Sequence, residues 1–114
     1  MSLGKRLAAK RQAKRTCIEV AEWGEESEPL ALYASFLNCG DIDRLQRKHP
    51  NFLNNPTIAG MIDLIILKAE DKEGEKLFTL EDKPFLMREP VTLISTIAGQ
   101  MFTTIESVED LGND

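Results

Sequence analysis

The reactive side chains of this sequence are few and poorly matched to one another. His49 is the single histidine, and Cys17 and Cys39 are the two cysteines. A thiol nucleophile needs a base within hydrogen-bond reach, and neither cysteine sits in a motif that would supply one. Both read as small hydrophobes, and His49, just before Pro50, reads as a helix C-terminal residue. The set is also too small for a disulfide framework or a zinc site. Among the carboxylates, Asp41 and Asp43 are two apart and fall on different helix faces. Asp71, Glu73 and Glu75 alternate with Lys72 and Lys76. A calcium loop places glycine sixth and a bidentate carboxylate, usually glutamate, twelfth; counted from Asp71, those positions hold Lys76 and Asp82, and the pattern fails. Gly24, Gly40, Gly60, Gly74, Gly99 and Gly112 are isolated, so no phosphate-cradling loop exists. The expectation is no cofactor, no metal and no enzymatic activity.

The elements that would carry any site must then be sought in composition and periodicity. The chain has 114 residues, 42% of them hydrophobic, which suits one domain with a real core. No apolar run reaches the roughly 18–20 residues a membrane span needs. The longest, residues 61–67, is broken by Asp63, and the basic N-terminus lacks the apolar stretch of a signal peptide. A soluble, cytoplasmic protein without a membrane partner is expected. Charge is unevenly spread. Residues 1–15 carry Lys5, Arg6, Lys10, Arg11, Lys14 and Arg15 with no acid, while the rest holds 8 basic and 19 acidic side chains. The division expected is a basic flexible arm over 1–15 that folds only on a partner, a single domain over 16–105 and an acidic tail over 106–114. The arm has no aromatics for base stacking, and the acidic body repels phosphate, so nucleic acid is not the expected partner.

Alternation marks two strands, residues 16–22 with Ile18 and Val20 on one face, and residues 29–34 with Leu30 and Leu32 on one face. The polar stretch between them, holding Trp23 and Gly24, reads as the turn of a β-hairpin. Helical spacing follows. Asp41 reads as the N-cap of a short helix ended by Pro50, and Asn55-Pro56 as the start of a helix running to about Glu70. That central helix has Ile58, Met61, Ile62 and Ile65 on one stripe, with Leu64, Ile66 and Leu67 beside them. A helix apolar nearly all round is central to a core or shared with a partner. Residues 70–76 read as a solvated turn. Thr79 and Asp82 read as a capping box for a short helix carrying Phe85, Leu86 and Met87. Glu89-Pro90 opens a last helix with Val91, Ile94, Ile97, Ala98, Met101, Phe102 and Ile105. The fold class expected is α+β, mostly helical, with the N-terminal hairpin packed on three or four α-helices. An exposed hairpin edge favours self-association.

The order of these segments resembles the tail assembly chaperones of long-tailed bacteriophages. The resemblance rests on the hairpin with Glu22-Trp23-Gly24-Glu25, the charged helix from Asp41 to Pro50 and the apolar helix from Gly60 to Asp71. Gly74 and the run Leu77-Phe78-Thr79-Leu80-Glu81-Asp82 complete it, so it spans residues 16–105. It implies a non-enzymatic protein of the host bacterial cytoplasm that binds the tape measure protein and keeps it soluble. It further implies help with polymerising tail-tube protein, absence from the mature virion, and in many relatives a longer frameshifted form. Residues expected at partner surfaces are Trp23 on the hairpin, Met61, Ile62, Ile65 and Ile66 on the central helix, and Ile94, Met101 and Phe102 on the last. Two other readings compete: a structural tail or head–tail connector component, and a small nucleic-acid-associated regulator using the arm.

Overall fold

The structure, a computed structural model, describes residues 2–12 and 15–102. It is α+β, as expected: an N-terminal antiparallel hairpin followed by helices. Strands β1 (Arg15–Glu25) and β2 (Glu28–Ser35) pair with Ile18 opposite Leu32 and Val20 opposite Leu30. The alternation places Ile18, Val20, Leu32 and Ala34 on the buried face.

The turn falls later than the sequence suggests. β1 runs on through Trp23 and Gly24, and residues 26 and 27 make the turn, with Glu26 at φ 38°. Between the Val20–Leu30 and Glu25–Glu28 pairs the register shifts, so that residues 21–24 stand opposite Pro29 alone. Proline cannot donate to a ladder, and a bulge is where a sheet tolerates it. Gly24 is not the turn glycine; a Cβ there would lie 2.0 Å from the Glu28 carbonyl oxygen. It permits close strand approach.

Within the expected arm, residues Leu3–Gln12 form helix α1, its first turn capped by Ser2, whose Oγ accepts from the Lys5 N–H at 3.2 Å. Leu3 and Leu7 on it are exposed. Arg15 belongs to β1, where it pairs with Ser35. The expected tail and Ile105 lie outside the described residues.

Helix α2 (Cys39–Lys48) is capped by Asn38 rather than Asp41. Asp41 is the third residue of a reciprocal capping box: its N–H donates to Asn38 Oδ1 at 2.8 Å, and its carboxylate accepts from the Asn38 N–H at 3.1 Å. Helix α3 (Ile58–Lys68) is capped by Thr57, not Asn55, whose hydroxyl accepts from the Gly60 N–H at 3.0 Å. A serine or threonine just before the apolar run outcompeted the Asn-Pro signal two residues earlier. α3 is the centre of the molecule. It touches β2, α2, α4 and α5, and Ile62, Leu64 and Ile65 are fully buried. Gly60 lets it settle against Phe52, whose ring would be 2.7 Å from an added Cβ.

After α3, residues 70–76 are more than a solvated turn. The Glu70 N–H and carbonyl each bond Tyr33 at 2.8 Å, adding a bridge to the outer edge of β2. Arg15 ties the same segment down through the Asp71 and Lys72 carbonyls at 3.1 and 2.8 Å. A 3₁₀ turn at Leu80–Asp82 leads into α4 (Lys83–Leu86), with the Asp82 carboxylate accepting from the Thr79 N–H at 2.9 Å as the capping box requires. Helix α5 (Val91–Phe102) begins directly after Pro90 and lays Ile94, Ile97, Ala98 and Met101 on the core.

Candidate functional site

An open groove of about 550 Å³ lies between α2, α3 and the segment 76–80. Its floor is apolar, from Leu45, Ile66, Leu67, Phe78 and Leu80. Leu80, at its edge, is a large hydrophobic side chain left 61% exposed. The rim is basic. Arg44, Arg47 and Lys48 stand three and four apart on α2 and so share a face, and Lys76 faces them from across the groove. Arg47 pairs with Asp43 at 2.9 Å, both largely exposed; Lys76 donates to the Leu67 carbonyl at the end of α3. Arg44 and Lys48 have no ion-pair partner among the described residues.

One acid enters the groove wall, Asp63, and it is internally neutralised. His49 Nε2 lies 2.6 Å from Asp63 Oδ2, and Lys83 Nζ lies 2.9 Å from Oδ1, close enough for an ion pair though not aligned as a hydrogen bond. A carboxylate can only accept, so the His49 nitrogen facing it carries a proton in either charge state of the ring. Burial pushes the Asp63 carboxyl up, but the His49 hydrogen bond and the nearby charges of Lys83 and His49 outweigh that and hold it below the ordinary carboxylate range. The trio fastens the end of α2 and the start of α4 to α3. It frames the groove without offering a free base.

A second buried pair braces the opposite end of α3. Lys68 Nζ donates to Asp41 Oδ2 and Ser35 Oγ, both at 2.8 Å, and to the Phe36 carbonyl at 3.3 Å. With its three donors used, this ammonium is structural. Among the described residues, no three of His, Cys, Asp and Glu cluster as a metal site would need, and no helix is long and apolar enough to cross a membrane. Cys17 and Cys39 are free and exposed rather than buried, so their small-hydrophobe reading is corrected.

No protein-family model matches the sequence, and no curated protein does. The solved structures give a different result. The fold is shared with a phage tail assembly chaperone. The bacteriophage HK97 tail assembly chaperone superposes with a TM-score of 0.59 over 90% of this chain and 96% of its own, at 17% identity. The likeness therefore covers most of both chains, and with so little shared sequence it is a likeness of fold.

Within this chaperone-like fold the expected partner residues are scattered. Ile62, Ile65, Ile94 and Met101 are buried in the chain's own core, at 1% exposure or less. Ile66 is buried too, but one side of it forms groove floor. Met61 is half-buried against the core. Phe102 stacks on Phe52 with ring centroids 5.7 Å apart and lines a separate hollow with Leu37, Ile42 and Leu53. Trp23 turns inward from the β1 bulge: it packs edge-on against Phe78 at 5.6 Å, and its Nε1–H donates to the Glu89 carboxylate. The groove brings together Ile66 with residues that sequence reading passed over, chiefly Arg44, Lys48, Phe78 and Leu80. The spacing of Arg44, Arg47 and Lys48 on one predicted helix was the available signal.

Proposed function

We propose that this chain is a phage tail assembly chaperone of the host bacterial cytoplasm. On this reading it is non-enzymatic, binds the tape measure protein, keeps it soluble and promotes polymerisation of the tail-tube protein, and it is absent from the mature virion. The observation that carries the proposal is the fold match to the HK97 chaperone over 90% of this chain. The groove gives the reading a physical form. A long helical protein exposes apolar stripes until it is packaged, and a groove with an apolar floor and charged rim takes such a stripe as helix-in-groove recognition does.

Co-expression with the neighbouring long helical open reading frame is the test. The helical product should become soluble and co-purify with the wild-type chain. Leu80→Asp should reduce recovery at least tenfold, about 1.4 kcal/mol of binding, without loss of the chain's own circular dichroism. Aspartate at Ile62 or Ile65 would not serve, because both side chains are fully buried and the change would report on folding. Failure to solubilise, together with retention of the chain in purified particles, would favour a structural tail component instead.

A further inference from the structure

We propose that the groove selects its occupant by charge: it takes an amphipathic helix of the partner whose apolar stripe is flanked by acidic residues. That the occupant belongs to the helical partner rests on the chaperone reading; the chemistry of the stripe does not. The placement of charge is the first reason. Of the 8 basic residues outside 1–15, Arg44, Arg47, Lys48 and Lys76 all line this groove, in a body that holds 19 acids. Helix dipoles account for part of this. Arg47 and Lys48 sit in the last turn of α2, and Lys76 donates to the Leu67 carbonyl near the end of α3. They do not account for Arg44, a turn earlier. Nor do they explain why Arg44 and Lys48 lack an ion-pair partner among the described residues of so acidic a chain.

The shape of the groove is the second reason. Among the described residues Asp63 is the one carboxylate that lines it, and His49 and Lys83 already engage that group. Little is left there to repel an acidic occupant. An apolar floor between two basic walls asks for apolar anchors in the middle and acids on both sides, as charged positions flank the seam of a coiled coil. A stripe flanked by bases would cover the floor but set cation against cation along the rim. Helix α1 is the rival acceptor, since it is basic and carries Leu3 and Leu7, both exposed and four apart on one face. It offers a single convex stripe of two leucines. The groove offers a floor with a wall on either side, and so buries more of the same occupant.

Two synthetic peptides of about 18 residues test the inference, sharing one leucine stripe in an alanine-rich helix and differing only in Glu or Lys beside it. Backbone amide spectra of the full chain follow each titration. The Glu peptide should bind at least tenfold more tightly than the Lys peptide, against the chain's own net charge of -5. It should shift the amides of residues 44–48, 66–67 and 76–80, and its binding should weaken between about 0.05 and 0.5 M salt. Arg44→Glu with Lys48→Glu should reverse the preference, and Arg44→Gln with Lys48→Gln should reduce it. Both side chains are exposed, and circular dichroism checks each fold. Equal binding of the two peptides to the wild type would overturn the proposal. So would Glu-peptide shifts confined to α1, which would make Leu3 and Leu7 the docking stripe. The chaperone reading fails separately. Peptide selection without rescue of the helical partner in co-expression removes the tail role and leaves the groove chemistry standing. Rescue that survives the double charge reversal removes the groove chemistry alone.

Discussion

Asp63 shows how a residue that looks like a flaw in an apolar helix becomes a structural joint. Its carboxyl is held below the ordinary range, so it contributes stability at pH values above the unfolded pKa of about 4. That contribution is lost as pH falls through the lower, folded value. Acid unfolding of the wild type should therefore steepen below about pH 4. Asp63→Asn should flatten that limb and cost roughly 1–3 kcal/mol at neutral pH, read from denaturant midpoints. The cost is moderated because Lys83 is partly exposed and can turn to solvent. The Lys68–Asp41 pair is more deeply buried, at 8% and 9% side-chain exposure. Breaking it with Lys68→Ala should cost about 3–5 kcal/mol by stranding a buried charge, whereas Lys68→Met with Asp41→Asn should cost less than the two single changes combined. Neither joint was legible in the sequence. That Asp41 sits at a helix start was visible, though it was read as the N-cap rather than the third residue of the box, and its Lys68 partner lies 27 residues away. Local pattern carries no signal for that pairing.

At the level of elements, period and caps were enough to find helices α2 to α5 and the two strands, and they failed where two chemistries competed for one residue. The hairpin turn is the clearest case. Gly24 invites a turn, yet it is spent on the close approach to Glu28, and the tight reversal falls on Glu26 in a left-handed conformation. That conformation costs an ordinary L-residue roughly 1–2 kcal/mol, and asparagine tolerates it better. Glu26→Asn should raise stability by about 0.5–1 kcal/mol, seen as a melting temperature several degrees higher. A shared apolar helix was the other ambiguous element. α3 reads equally as core or interface from sequence, because all-round apolarity says only that every face is covered. The fold answers with α2, α4, α5 and β2. The surface left uncovered was set by tertiary packing: the strip where 76–80 does not close against α2.

For the whole molecule the question is what the split in charge does. An acidic body with a basic helical arm is compatible with a regulator that holds nucleic acid by the arm, and that reading can be separated cleanly from the chaperone one. α1 is solvent-exposed throughout its described side chains, and every long-range ion pair among the described residues is made by others. Deleting residues 2–12 should therefore move the melting temperature by less than about 2 °C, and solubilisation of the helical partner should persist. A nucleic-acid binder would behave otherwise. Its affinity would fall with the logarithm of salt at a slope near 0.9 per phosphate neutralised on duplex DNA. With six basic side chains in residues 1–15, that slope could approach about 5, and the deletion would abolish most of it. A shallow slope in the intact chain, with partner rescue unaffected by the deletion, places recognition in the groove and leaves the arm outside it. A steep slope lost with the arm would move the function to α1 and make the groove secondary.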